Sequence, residues 1–287
     1  MSLPLPTSPL QACNSAALGA IIAPMRRDID YARWAQRYDD TRGASPSVLR
    51  VLLPALGDPL GRTLLDIGGG TGNVARVLDD AGFVVLLCDA TEQMVLRARE
   101  KLRSPLLAVA DAQRLPFPNA AFDCALSVNV LGHLPDWRAG LREARRVIRD
   151  GPFVLKVSTA ETQKANWVLD YLPQIARLTP AYHYQPEEAT LAALSDAGFG
   201  SVGTERICYK DSVDGSFQAL KWFPALLLDD EPALNTSVIM RVPEDEREAA
   251  LKQMRADRKS GKLADVLARY KAIRRQYGDG TVFICRP

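Results

Sequence analysis

The segment Asp66-Ile67-Gly68-Gly69-Gly70-Thr71-Gly72 places four glycines within five residues. It joins the apolar run Thr63 to Ile67, which reads as a buried strand, to an amphipathic stretch from about Asn73 to Asp80, which reads as a helix. A strand that passes into a helix through such a loop belongs to a parallel sheet with crossover helices. The glycines let the chain turn sharply and leave its backbone open to a close neighbour. The alternation then repeats. Strands are expected at Val84 to Cys88, running into Asp89, and at Leu106 to Ala110, Cys124 to Val128 and Phe153 to Ser158. Helices are expected at Glu92 to Leu102 and at Trp137 to Ile148, the latter stopped by Gly151.

After a helix from Pro186 to Ala197, ended by Gly198, two β-rich runs at Ser201 to Tyr209 and Thr281 to Cys285 complete an expected sheet of seven strands. About 70 residues separate them, far more than a hairpin needs. Within that gap Leu220 to Leu228, Glu244 to Ala256 and Leu263 to Gln276 are helical by pattern, with Pro224 inside the first. The expected organisation is an α/β core at 46–211 and 278–287, its mostly parallel sheet covered by helices on both faces. A helical cap is inserted at 212–277, and a helical segment at 1–45 precedes the core.

At 287 residues, 47% of them hydrophobic and 24% charged, the chain has the makeup of an ordinary globular protein. Its 36 basic and 34 acidic residues leave a formal charge of +2, too little to gather a nucleic-acid backbone. The basic stretch Arg255 to Arg275 is interleaved with apolar residues and reads as a solvated helix face. Cys13, Cys88, Cys124, Cys208 and Cys285 form no CxxC pair, and four lie in apolar runs, so reduced core thiols and no metal site are expected. No Lys or Arg precedes Arg26, and the apolar stretch Ala16 to Met25 is too short to span a bilayer. A cytoplasmic protein without membrane insertion is expected.

The loop implies a nucleotide-like cofactor but does not by itself say which. Gly70, Gly72 and Ala75 also fit the G-x-G-x-x-A dinucleotide fingerprint, with Asp89 at about the 20-residue distance its ribose contact needs. Asp66 weighs against that reading. A carboxylate two residues before the glycines lies badly for a pyrophosphate and well for the ammonium group of a methionine moiety.

The chain from roughly Tyr31 to Val157 resembles the class I S-adenosylmethionine-dependent methyltransferases. The resemblance is carried by Leu65 to Gly72, by Asp89 with Met94 after it, by Asp111-Ala112 with Leu115-Pro116-Phe117, and by Phe122-Asp123. It continues through His133-Leu134-Pro135-Asp136 and Glu143 to Gly151. Within that class the arrangement looks like the group that includes the ubiquinone and menaquinone biosynthesis C-methyltransferases and many natural-product methyltransferases. The resemblance implies a Rossmann-like fold and S-adenosylmethionine as cofactor. It implies that Asp66, Gly68, Gly70 and Thr71 form the cofactor loop and that Asp89 accepts hydrogen bonds from both ribose hydroxyls. Asp111 and Ala112 would meet the adenine, Met94 would cover its face, and the backbone at Val128 would reach the methionine end. Tyr38 and Arg42 stand in a segment resembling the short helix that family members fold over the cofactor, with Arg42 placed to pair with a carboxylate.

Methyl transfer from a sulfonium needs alignment and exclusion of water, and needs a base only when the acceptor keeps its proton. His133, after the fourth strand, is the candidate base, with a loop-shaping role as the alternative. His183, Tyr184, Trp222 and Phe223 are candidate acceptor contacts. Ser127-Val128-Asn129-Val130 lacks the Asn/Asp-Pro-Pro-aromatic sequence of enzymes that methylate flipped bases, so a small-molecule acceptor is expected, with the methylated atom (O, N or C) left open. An NAD-dependent oxidoreductase and a non-catalytic cofactor-binding regulatory protein are the competing expectations.

Overall fold

The computed structural model describes Asp39 and residues 43–103, 106–178, 184–211, 219–228 and 239–287. Seven strands form one sheet in the order β3-β2-β1-β4-β5-β7-β6. These are β1 (Thr63–Ile67), β2 (Val84–Asp89), β3 (Leu106–Val109), β4 (Cys124–Val128), β5 (Phe153–Val157), β6 (Ser201–Ile207) and β7 (Gly280–Arg286). The first five run parallel, and β7 lies antiparallel between β5 and β6. The order reverses between β1 and β4, which opens a crevice at their carboxyl ends.

Alternation within each strand divides the core in two. Leu65, Ile67, Leu86, Cys88, Ala125, Phe153 and Leu155 face one layer, packed with Trp137, Leu141 and Ala144 of helix Trp137–Val147 and with Ala193 and Leu194 of helix Glu187–Asp196. Leu64, Val85, Leu87, Cys124, Leu126 and Val154 face the other. There they meet Ala75 and Leu78 of helix Asn73–Ala81, Val95 and Ala98 of helix Glu92–Arg99, and Leu52 and Leu56 of helix Pro46–Leu56. This last helix, here α1, was not anticipated. Pro46 occupies its first turn, where no N–H is missed, and Val48, Leu52, Ala55 and Leu56 give it a buried stripe.

A third apolar cluster gathers Leu220, Leu227, Leu228, Leu251, Met254, Leu263 and Val266. Trp167, Val168, Leu172 and Ile175, from the stretch between β5 and helix Glu187–Asp196, complete it, so the helical layer draws on two separated stretches of chain. The helix expected over Leu220 to Leu228 is broken. A single turn covers Ala219–Lys221, and Pro224 starts a new helix, Pro224–Leu228, because proline suits the first turn of a helix and further in would cost a backbone hydrogen bond. In the basic stretch Arg274 is buried at 5% exposure rather than solvated. Cys88, Cys124 and Cys285 are free and buried, and Cys208 is half-buried and free.

The connection from β3 to β4 is held by one ion pair. Arg146 binds both oxygens of Glu143, each at 2.7 Å. It also donates to the carbonyls of Leu115 (3.0 Å) and Phe117 (2.7 Å) and to Asn119 Oδ1 (3.0 Å). Glu143 in turn accepts from the Leu115 N–H at 2.7 Å. Because this one guanidinium satisfies several backbone groups, Arg146→Ala should destabilise the protein by about 2–4 kcal/mol. Denaturant unfolding measures the loss, and a change within about 0.5 kcal/mol would contradict the bracing role.

Candidate active site

The carboxyl edge of the parallel strands collects most of the residues marked by the sequence. Ile67 leads into the glycine loop, Asp89 ends β2, Asp111 lies just past β3, and Val128 ends β4. In the loop Gly68, Gly70 and Gly72 take positive φ (71, 56 and 79°). The N–H groups of Gly68 and Gly69 both donate to the Cys88 carbonyl, at 2.8 and 3.1 Å. A Cβ on Gly68 would come within 2.3 Å of Val130, and one on Gly69 within 2.6 Å of Leu87 and 2.7 Å of Asp66 Oδ2. The chain's own packing therefore requires glycine at both positions, in addition to any ligand that approaches the loop.

Two acids stand beside this loop. Asp66, inside β1, is 2% exposed, and its Oδ2 is buried with no hydrogen-bond partner. Burial, reinforced by the charge of Asp89, pushes its carboxyl up to about 7. Asp89 accepts from the Gly70 N–H at 3.0 Å through Oδ2 and from the Thr91 N–H at 2.9 Å through Oδ1. Burial still raises its carboxyl above the ordinary carboxylate value, against those bonds. Thr71, fully inside the loop, donates to Asp39 Oδ1 at 2.6 Å. Asp39 also accepts from Asn73 (2.9 Å) and pairs with Lys101 (2.7 Å). Burial pushes its carboxyl up, but the bonds from Lys101, Thr71 and Asn73 outweigh that and hold it below the usual range.

The remaining positions sit as follows. Asp111 Oδ1 accepts from the Gln113 N–H at 2.9 Å and from its Nε2 at 3.0 Å, while Gln113 Oε1 takes the Asp136 N–H at 2.8 Å. Met94 and Ala112 are buried, and Val128 is half-buried. His133 closes the single turn Leu131–His133 after β4, half-buried, with its N–H on the Val130 carbonyl at 2.8 Å. Tyr184 and Phe223 are half-buried. The half-buried Trp222 donates its indole N–H to Asp279 and lies under the Arg274 guanidinium, 4.6 Å from the ring centre. Asp279 immediately precedes β7, whose Thr281 pairs with Val157, so Trp222 stands at the carboxyl edge of β5. Tyr38, Arg42 and His183 lie outside the described residues.

Sequence reasoning passed over three residues. Asp39 fastens the segment before α1 to the glycine loop, and no local pattern announces it. Lys156, fully buried in β5, donates to Asn129 Oδ1 at 2.7 Å, and Asn129 has φ of 60°. A lysine in the otherwise apolar Phe153-Val154-Leu155-Lys156-Val157 was the available signal.

A cofactor entering beside Asp66 and Asp89 meets two carboxylates and an unsatisfied acceptor oxygen. Cationic groups are favoured there and a pyrophosphate is repelled. Comparison with known proteins points the same way. Residues 65–155 match the family model described as a methyltransferase domain. The ubiquinone/menaquinone biosynthesis C-methyltransferase of Paracoccus denitrificans is 32% identical over 207 residues, covering 60% of this chain and 82% of that protein. The chain belongs to the class I S-adenosylmethionine-dependent methyltransferases. A crystal structure from Anabaena variabilis, described as a methyltransferase of an antibiotic biosynthesis pathway, shares the fold at a TM-score of 0.72 and 23% identity. It spans 86% of this chain and 99% of its own. Haemonchus contortus phosphoethanolamine N-methyltransferase 2 shares it at 0.57 and 18% identity, over 89% of this chain and 57% of that one.

The folded protein carries the buried Asp66 at a cost in stability. Asp66 titrates near 7 when folded against 3.8 ordinarily, so the native state holds an extra proton between those values. Its contribution is fully present below about pH 4 and is lost as pH rises through 7. Asp66→Asn should therefore stabilise the cofactor-free enzyme at pH 8 by on the order of 1–4 kcal/mol, an advantage that disappears below pH 4. Denaturant unfolding at the two pH values checks this, and equal effects at both would contradict it.

Proposed function

We propose that this methyltransferase acts on a small-molecule acceptor held between the carboxyl ends of β4 and β5 and the helical layer above them. The observation that carries the cofactor half of this reading is the orphaned Oδ2 of Asp66 beside Asp89. In this reading Asp66 takes the ammonium group of the methionine moiety. Asp89 keeps lone pairs for the ribose hydroxyls beyond those used by Gly70 and Thr91. Asp111 and Ala112, on the loop stiffened by Gln113, meet the adenine, and Met94 backs the same wall. Gly68, Gly70 and Thr71 shape the loop, and Val128 presents backbone to the methionine end. Tyr38 and Arg42, which stand near Asp39 in the sequence, complete the cofactor side of this reading.

When bound, S-adenosylmethionine supplies a methyl group already activated on a sulfonium. The chain's own work is then to align the acceptor and keep water away. The helical cap at 212–277, extended by Trp167 to Ile175, supports this role, with His183, Tyr184, Trp222 and Phe223 as acceptor contacts. His133 takes the acceptor's proton where the acceptor retains one at neutral pH. The ubiquinone/menaquinone biosynthesis C-methyltransferase from Paracoccus supports a small, quinone-like acceptor. Near-balanced charge supports a partner other than nucleic acid. A cytoplasmic placement belongs to the same reading; among the described residues no helix is long and apolar enough to cross a membrane.

Calorimetric titration tests the assignment. S-adenosylhomocysteine should bind while NADH does not, and Asp89→Ala should weaken S-adenosylhomocysteine by about 1.5–3 kcal/mol, the range for hydrogen bonds to a charged group. An unchanged affinity in a folded Asp89→Ala protein would remove the ribose role.

A further inference from the structure

Asn129 is the residue immediately beyond β4, and it holds left-handed backbone although it is not glycine. Its neighbour Val130 packs against Gly68, so Asn129 stands next to the cofactor loop. Its N–H donates to the Lys156 carbonyl at 2.8 Å, which continues the β4–β5 pairing by one residue. Its side chain is exposed at the carboxyl edge, whereas Lys156, its partner, is fully buried.

Lys156 reaches that edge from inside the sheet. It lies on the face shared with Val154, its Nζ passes 5.1 Å from the centre of the Tyr209 ring, and it ends on Asn129 Oδ1 at 2.7 Å. Gly280, the first residue of β7, makes the room. A Cβ there would stand 2.9 Å from Lys156 Cε and 3.4 Å from Nζ. A lysine head group can only donate to the carboxamide, so the oxygen of Asn129 must face inward. The amide nitrogen is thereby turned outward, and among the described residues it donates to no acceptor.

We propose that Asn129 is an acceptor-binding residue and Lys156 its positioning residue. The pair presents a fixed N–H donor beside the methionine end and selects acceptors bearing an oxygen lone pair, as phenolate, enolate or carbonyl, next to the methylated atom. An acceptor that offers only N–H donors at that point gains nothing from it. The inference rests on the small-molecule reading above and narrows its substrate class.

The protein loaded with S-adenosylhomocysteine is titrated with para-nitrophenol and para-nitroaniline, which differ at one polar atom. The expected preference is about five- to tenfold for the phenol. Asn129→Gly removes the carboxamide while suiting the left-handed backbone, so it should fold and bring the two affinities within about twofold. Lys156→Met should erase the preference as well, and adding it to Asn129→Gly should cost nothing further, whereas a purely structural lysine would act independently of Asn129. Equal affinities in the wild type, no binding of para-nitrophenol at millimolar concentration, or an undiminished preference in Asn129→Gly overturns the proposal. Failure of S-adenosylhomocysteine itself to bind would instead count against the cofactor assignment on which it stands.

Discussion

Burial of the Asp66 carboxylate beside Asp89, at the ends of two adjacent parallel strands, is the constraint on which the rest of the site depends. Among the described residues no Lys or Arg pairs with either acid. Asp89 leans on backbone N–H groups, and Asp66 Oδ2 has none. A cofactor-free protein tolerates this only by letting Asp66 hold a proton near neutrality. The same arrangement favours a cationic ligand and disfavours a phosphate one, beside a glycine loop of the kind that dinucleotide folds also carry.

Around that centre the chain has been closed by contacts between residues far apart in sequence. Asp39 joins Thr71, Asn73 and Lys101, and so couples the start of the described chain to the loop. At the opposite end of the crevice Asp279 accepts from the Tyr209 N–H at 3.1 Å and from Trp222. Arg274 lies over Trp222 and donates to the Lys221 carbonyl at 2.6 Å. Lys221 is fully buried. Burial pulls it down to about 8, against the favourable charge of Asp279. These buried polar groups tie the helical layer to the sheet edge, so a substitution among them disturbs both at once.

The sheet was legible because period-2 apolar runs, glycine stops and the Asp66-to-Gly72 loop are local signals, and each strand falls within a residue or two of its expected place. The helix Pro46–Leu56 was missed because the prolines Pro46 and Pro54 mask a buried stripe that only tertiary packing completes. The break at Pro224 follows from proline chemistry and was visible as an interruption, though not as a new helix start. Asp39 and the Lys156–Asn129 bond were invisible for another reason: their partners lie 32 and 27 residues away, and register alone brings them together. Trp167 to Ile175 entered the helical layer in the same way, through contacts that no window along the chain contains.

The central claim is that the methionine ammonium completes Asp66. Titrating S-adenosylhomocysteine at pH 7 in buffers of different ionisation enthalpy measures it directly. A carboxyl that titrates near 7 when free and becomes fully ionised against an ammonium must give up about half a proton per ligand bound. That release is expected in the wild type and its loss in Asp66→Asn. Binding with no net proton exchange, or with proton uptake, would contradict it.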